Sequence, residues 1–515
     1  MLFPLIKDIL SFPPDSRKLK VRGWIRTKRE LKNLVFIELN DGSSFRGLQC
    51  AFDREIYGRD FYGKNAGPAD KTGAGGTAEE TPDPLSILDA AGTGASVEIE
   101  GTLVPSPAAG QQLELASDTI RLIGPAPAEP RPGIPAYPLQ KKRHSLEFLR
   151  EIAHLRPRTN TFAAVTRLRS RLAFAVHQFF QRNGYQYIHT PIITASDAEG
   201  AGAMFQVTTL DLETLARNRE ERLSPGGPGG SGECGERGDA PQPVDYSSDF
   251  FGKKTGLTVS GQLEAETYAS ALSRVYTFGP TFRAEHSNTT RHLAEFWMVE
   301  PETAFADLDD NMSLAEEFLK FLITTALEDC AEELAFFDTH YEKGLRENLE
   351  TLAHSPFSHI SYTDAIAELE KNTKTFEFKP SWGCDLQSEH ERYLTETVFR
   401  GPVIVTDYPK EIKAFYMKLN DDSATVRAMD VLVPRLGEII GGSQREEDLE
   451  KLTARMTQLR MNPADYQWYL DLRRYGTTPH SGFGLGFERL IQYLTGMTNI
   501  RDVIPYPRSA GQAEF

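Results

Sequence analysis

Three segments of the sequence are unusually dense in polar side chains beside apolar, strand-like stretches. Phe278–Glu302 places Arg283, Glu285, Arg291 and His292 on a strand–loop–strand that returns through Phe296. Met429–Glu446 carries Asp430, Glu438 and Arg445 around Gly441-Gly-Ser-Gln. Arg473–Leu490 runs through Gly482-Phe-Gly-Leu-Gly486 to Glu488 and Arg489. A glycine run lets a backbone come close to a ligand, and here a helix is expected to start near Phe487. Any one of these arginines alone is most simply a salt-bridge partner. No Gly-x-x-x-x-Gly-Lys loop followed by Ser or Thr is present, and Gly-x-Gly-x-x-Gly spacing occurs only inside the glycine-rich run 226–235, so the usual nucleotide folds are not signalled.

The elements that would position these segments mix strands and helices. Phe162, Val165, Leu168, Leu172, Val176 and Phe179 recur at helical spacing and stop at Asn183-Gly184. Strand-like pieces are expected at Leu257–Ser260, Val275–Phe282, Phe296–Val299, Val403–Val405 and Lys413–Lys418, with a helix near Asp310–Leu334. Strands separated by long insertions, with few helices between, predict an antiparallel α+β domain. The first 120 residues read differently. Val35, Ile37 and Leu39 alternate with outward residues up to Asn40-Asp-Gly42, a hairpin signal. Leu48, Cys50 and Phe52 follow, then Val97 to Leu103, Leu113 and Leu115, and Ile120 and Leu122. Five or six short strands, counting Leu19–Ile25 first, predict a small β-barrel of the OB type, because closure hides the edges.

Composition sets the frame. Hydrophobic content of 40% with 25% charged residues excludes fibrous and wholly disordered classes. The net charge of −16 argues at first against a nucleic-acid partner. Residues 17–32, however, hold eight basic residues and one acid. They form either a solvated strand pair or a phosphate-binding face. Phe36 lies opposite the core residues of its strand; with Gln49 also outward, that is how such barrels stack and read single-stranded bases. Alone, Phe36 is more often a hairpin-packing residue. The four cysteines make no metal or redox spacing, no apolar run of 18 residues exists and the N-terminus does not read as a signal peptide, so the cytoplasm is expected. Asn288-Thr-Thr and Asn311-Met-Ser match the glycosylation pattern by chance on this reading. Stretches 63–95 and 217–248 are rich in Gly, Ala and Pro and are expected as mobile insertions. Gly124–Gly133 reads as a spacer. The expected division is 1–123 barrel, 124–140 linker and 141–515 second domain.

The three polar segments resemble the motifs of class II aminoacyl-tRNA synthetases: Phe278–Glu302 motif 2, Arg473–Leu490 motif 3, and Gly184–Pro191 the end of motif 1. Within that class Val275–Thr289, Trp382-Gly-Cys-Asp-Leu-Gln-Ser-Glu-His-Glu-Arg-Tyr393, Gly441-Gly-Ser-Gln-Arg445 and Asp471-Leu-Arg-Arg-Tyr-Gly476 resemble bacterial asparaginyl-tRNA synthetases. The resemblance runs from about Lys20 to Pro507, leaving out the two insertions. It implies an α+β chain: an OB-fold anticodon-binding barrel, then a class II catalytic domain whose antiparallel sheet is flanked by helices. It implies ATP as substrate with Mg2+, and tRNA, asparagine and a second copy of the chain as partners. A homodimer interface is then expected over about Arg167–Pro191.

Amino-acid activation joins two anions, so it needs positioning and charge neutralisation more than a proton-transfer dyad. By the resemblance, Arg283 would bridge the α-phosphate and the amino-acid carboxylate, and Arg489 would hold the γ-phosphate. Phe296 would stack on adenine, with Glu285, Arg291, His292 and Glu438 completing the ATP site. Asp430 and Glu438 would hold magnesium. Ser260 and Gln262 would line the ammonium and carboxylate end of the amino-acid pocket. Arg445 would face the side-chain carbonyl, and Glu300 or Glu302 would accept from the amide. A like charge about 4 Å from that acid costs on the order of 4 kcal/mol at an effective dielectric near 20, which would exclude aspartate. Arg26, Phe36 and Gln49 would meet the anticodon. Two other readings stand beside this one: an aspartyl-type synthetase with relaxed tRNA choice, and a non-catalytic paralogue binding nucleic acid through the barrel. A core that makes free asparagine is disfavoured by the barrel itself.

Overall fold

The computed structural model describes residues 3–13, 15–55, 84–107, 110–140, 142–198, 204–223, 244–287, 289–372 and 376–515. They fall into two compact units, Met1–Ala164 and Val165–Phe515.

In the first unit, β1 (Lys18–Glu30), β2 (Leu34–Asn40), β3 (Leu48–Asp53), β4 (Ser96–Pro105) and β5 (Leu113–Gly124) close into a barrel in the order β1-β2-β3-β5-β4. All neighbours run antiparallel except β3 with β5. Period-2 alternation sends Val35, Ile37, Leu39, Cys50, Phe52, Val97 and Ile99 into the core. Phe36, Glu38 and Gln49 are left on the outer surface. The two pieces expected around Leu113 and Ile120 are one strand, because a bulge at Glu100/Gly101 re-registers β4 against it. Asn40-Asp-Gly42 does not make a two-residue hairpin: residues 41–47 loop out before β3, with Asn40 Oδ1 accepting from the Gly42 amide at 2.8 Å.

Three expected boundaries shift. The insertion at 63–95 ends in a helix, Pro84–Ala90, whose Leu88 joins Ala91 and Ala95 in the barrel core; residues 56–83 lie outside the described residues. The spacer at 124–140 falls within the first unit, where Leu139 packs with Leu149 and Phe162. A helix, Leu212–Leu223, enters the 217–248 stretch, and residues 224–243 again lie outside the description, as does Asn288.

The second unit is built on β6 (Gln186–Tyr187), β7 (Ile193–Thr194), β8 (Gln206–Val207), β9 (Thr255–Leu257), β10 (Arg274–Phe282), β11 (Glu295–Ala304), β12 (Ser358–Ser361), β13 (Val403–Pro409), β14 (Thr425–Val433), β15 (Gly437–Gln444) and β16 (His480–Gly486). Eight of them form one sheet, β12-β13-β14-β15-β16-β11-β10-β6. Its middle is antiparallel and each outermost strand is parallel to its neighbour, so the sheet is mixed. A separate three-stranded sheet runs β7-β9-β8. Lys413–Lys418 forms no strand; Met417 makes only an isolated bridge to Arg445. Helix Leu308–Asp329, capped by Asp307 in a capping box with Asp310, covers one sheet face, where Asn311 donates to the Gly482 carbonyl at 3.0 Å. It breaks at Cys330, and a second helix, Ala331–His340, replaces the single one expected.

Candidate active site

The opposite sheet face carries the polar groups. Along β11, Phe296, Met298, Glu300 and Glu302 point the same way because strand side chains alternate. β16 lies beside it with Glu302 opposite Gly482 and Met298 opposite Gly486. A Cβ at position 482 would lie 2.3 Å from Glu302 Oε1 and 2.4 Å from the Pro301 carbonyl. Glycine there is therefore what lets Glu302 stand on the floor of the site.

One cleft is lined by Arg283, Glu285, Arg291, His292, Phe296, Glu438 and Arg489, all seven residues expected at the ATP site. The Arg283 guanidinium lies 5.5 Å from the Phe296 ring centre. Arg489, one turn into helix Phe487–Thr495, donates to Glu438 Oε2 at 3.2 Å. Burial pushes His292 below its ordinary value, and the charges of Arg489, Arg283 and Arg291 push the same way. Burial also lowers Arg291. The cleft is thus a converging positive field suited to phosphate groups.

Sequence reasoning missed Ser509 and Ala510, which reach the cleft from the far end of the chain. It also missed helix Ser388–Arg392, whose Ser388 accepts from Arg291 at 2.5 Å. On that helix, burial and the neighbouring Glu438 charge push the Glu391 carboxyl up to about 7. Both residues sit inside the Trp382–Tyr393 motif, so the signal was present without a role attached.

Asp430 and Glu438 face each other across Gly441. A Cβ there would lie 3.0 Å from Glu438 Oε1 and 3.4 Å from Asp430 Oδ1, so the glycine leaves open the space between the two carboxylates. Lys413 bonds Asp430 at 2.6 Å. Burial raises Asp430, whereas Arg489 and Lys413 overcome burial to lower Glu438. Among the described residues no three His, Cys, Asp or Glu side chains gather to hold a metal by themselves. Two carboxylates fit a Mg2+ that takes its remaining ligands from phosphate oxygens and water.

Further along β11 the two acids have different partners. Glu300 accepts from Ser260 Oγ, from the Gly261 amide at 3.1 Å and from Thr277 Oγ1 at 2.9 Å. Glu302 takes two hydrogen bonds from Arg445, which also donates to Ser443 Oγ at 2.8 Å. Burial raises the Glu302 carboxyl against the opposing Arg445 charge. Gln262 is buried and donates to Glu266 at 3.1 Å. Burial also raises Glu264 at the pocket rim.

On the barrel, Phe36 and Gln49 share the outer face, but Arg26 does not join them: it donates to Asn160 Oδ1 at 2.9 Å. A bulge between Ile25 and Thr27 turns the strand there. Arg29 takes the place beside Phe36, its cross-strand partner, and reaches within 3.5 Å of Gln49 Oε1. Gln49 in turn donates to Glu114 at 3.0 Å. The basic stretch is partly neutralised: Lys20, Arg22 and Arg121 surround Glu98, and although burial works to raise Glu98, their bonds and charges hold it near about 2.

A sheet of this topology with these arginines over it defines a class: the family model for tRNA synthetases class II (D, K and N) matches residues 236–510. Asparagine–tRNA ligase of Treponema denticola is 59% identical, over 99% of both chains. That of Nostoc sp. is 52% identical, also over 99% of both. The crystal structure of asparaginyl-tRNA synthetase from Pyrococcus horikoshii, complexed with asparaginyl-adenylate, superposes with a TM-score of 0.78 at 28% identity, covering 100% of this chain and 99% of that one. The chain belongs to the asparagine–tRNA ligases of class II.

Proposed function

We propose that the chain attaches asparagine to the asparagine tRNA at the expense of ATP, through an asparaginyl-adenylate, releasing pyrophosphate and then AMP. The observation that carries the reading is the convergence of all seven expected ATP-site residues on one cleft, continued along β11 by Glu300 and Glu302. The asparagine carboxylate attacks the α-phosphorus, and the bond to the bridging oxygen of pyrophosphate breaks. Arg283 neutralises both anions as they meet, Phe296 stacks on adenine, and Glu285, Arg291 and His292 fix the nucleotide. Arg489 draws the terminal phosphate away. Asp430 and Glu438 would hold Mg2+, which when bound would supply further neutralisation of the phosphates.

In the amino-acid pocket Glu300, already an acceptor for Ser260 and Gly261, takes the ammonium, with Gln262 nearby. An asparagine whose carbonyl faces Arg445 brings its amide to the acid paired with that arginine, so Glu302 is our choice as amide acceptor. On the barrel Phe36, Gln49 and Arg29 face the anticodon, and Arg26 supports from beside Asn160. Changing Phe36 to Ala is expected to raise the KM for tRNA in charging about tenfold or more, since a base–aromatic stack is worth about 1–3 kcal/mol. Pyrophosphate–ATP exchange should not change; loss of exchange would sink the division of labour.

We place a homodimer interface on Arg167–Pro191, supported by exposed Phe174 and Tyr187 and by β6 as an edge strand; an active monomer in light scattering would overturn it. The cytoplasm fits a chain in which Cys50, Cys330 and Cys384 are free and no described helix is long and apolar enough to cross a membrane.

A further inference from the structure

Behind the side-chain end of the amino-acid pocket lies a buried ionic network that the reaction itself does not use. Glu266, on helix Gln262–Leu272, is 1% exposed. Its carboxylate accepts from Tyr469 at 2.8 and 3.0 Å, from Arg473 at 2.9 Å and from Gln262 at 3.1 Å. The His480 ring nitrogen Nε2 lies 3.0 Å away. Arg445, the residue placed at the substrate carbonyl, has its Nε 4.0 Å from Glu266 Oε1. Arg473 also donates to the Glu446 carbonyl at 2.8 Å, which fixes it in the same layer. Burial works against a charge at Glu266, yet Arg473, His480 and Arg445 outweigh it and hold the carboxyl well below the usual range.

The charges in this layer can be counted. Glu266 and Glu302 contribute two negatives, and Arg445 and Arg473 two positives. His480 stands between two acceptors, with Nε2 3.0 Å from the Glu266 carboxylate and Nδ1 2.9 Å from the Thr478 carbonyl. Each acid thus stands against an arginine, Glu302 against Arg445 and Glu266 against Arg473. An aspartate side chain would bring a negative charge to this layer, whereas an asparagine side chain brings none. Asparagine and aspartate are nearly the same size, so shape alone separates them poorly.

We propose that Glu266 is a specificity-positioning residue: without touching the substrate, it offsets one of the two arginines and so denies aspartate the surplus positive charge that would bind it. Arg445 alone would welcome a carboxylate, and the second arginine would strengthen that welcome. Glu266 cancels it, and also orients Gln262 and, through Arg473 and Tyr469, the wall behind Arg445. The inference rests on the asparagine reading given above.

The test is pyrophosphate–ATP exchange with asparagine and with aspartate on the full-length enzyme and Glu266→Gln. Glutamine keeps the size and a carbonyl acceptor but makes the layer one charge more positive. The ratio of aspartate to asparagine kcat/KM is expected to rise by about tenfold or more. Glu266→Gln/Arg473→Gln restores the original net charge and should bring the ratio back towards that of the unaltered enzyme. Tyr469→Phe, which removes hydrogen bonds without changing charge, should leave the ratio where it was. If Glu266→Gln lowers both amino acids by the same factor, Glu266 is merely structural and the proposal is wrong. Should that variant not fold, Arg473→Gln carries the opposite expectation: a higher inhibition constant for aspartate against asparagine-dependent exchange. An unchanged constant would overturn the proposal. The unaltered enzyme separates the two levels. Absence of asparagine-dependent exchange there defeats the functional reading, whereas exchange with an unaltered ratio in the variants defeats only this inference.

Discussion

Changing Arg489 to Ala lowers asparagine-dependent pyrophosphate–ATP exchange by about a hundredfold to a thousandfold, the loss typical of a removed charge-stabilising donor at a reacting centre. Gly486 caps helix Phe487–Thr495, and one turn in, Arg489 reaches the cleft with one hydrogen bond to the Glu438 carboxylate. Alanine removes a guanidinium from the cleft and also takes from Glu438 its nearest counter-charge. The expected loss falls on kcat together with the KM for ATP, while the KM for asparagine stays within a few-fold. Arg489→Lys should recover only part of the rate, because an ammonium is a point charge without the planar fork. Exchange within tenfold of the unaltered enzyme in Arg489→Ala would remove this residue from the account.

Changing Gly482 to Ala is expected to abolish measurable exchange, although it adds a single methyl group. That methyl would sit 2.3 Å from Glu302 Oε1 and 2.4 Å from the Pro301 carbonyl oxygen. A flexible side chain can retreat, but the carbonyl belongs to the neighbouring strand, paired directly at Glu302 and Gly482. Either the β11–β16 ladder opens or Glu302 leaves Arg445, and the second outcome strands a buried guanidinium. Overpacking of this kind costs about 1–3 kcal/mol in stability, so the variant should fold with a lowered melting temperature. Thermal melting measured alongside exchange separates the effects. Normal activity at a normal melting temperature would show that the floor of the site is not as tight as described.

Much of this site was legible in the sequence because it is written in short continuous runs. Arg283 to Phe296 occupy one strand–loop–strand, and Gly482 to Arg489 one strand–helix turn, so local spacing alone gathers them. The barrel was equally readable, since period-2 alternation at Val35, Ile37 and Leu39 survives into the fold. What could not be read depends on non-local register. Arg26 and Arg29 are three residues apart on one strand, and only the bulge at Ile25/Thr27 decides which faces Phe36. Glu300 and Glu302 stand two residues apart on one strand, and only their separate partners, the Ser260–Gly261 turn and Arg445, tell the two acids apart. Glu391 and Glu266 lie far along the chain from the acids and arginines they meet, which no pattern within a window reports. The helix at Pro84–Ala90 was lost inside a compositional bias that describes only its neighbours.

The cleft and the Glu302–Arg445 pocket are expected to activate asparagine and refuse aspartate. Pyrophosphate–ATP exchange, run side by side with asparagine, aspartate and lysine at saturating ATP and Mg2+, tests it most directly. Exchange with asparagine alone, at least about a hundredfold above aspartate and absent with lysine, is the result expected of one like charge excluded from a buried site. Equal exchange with asparagine and aspartate would contradict it.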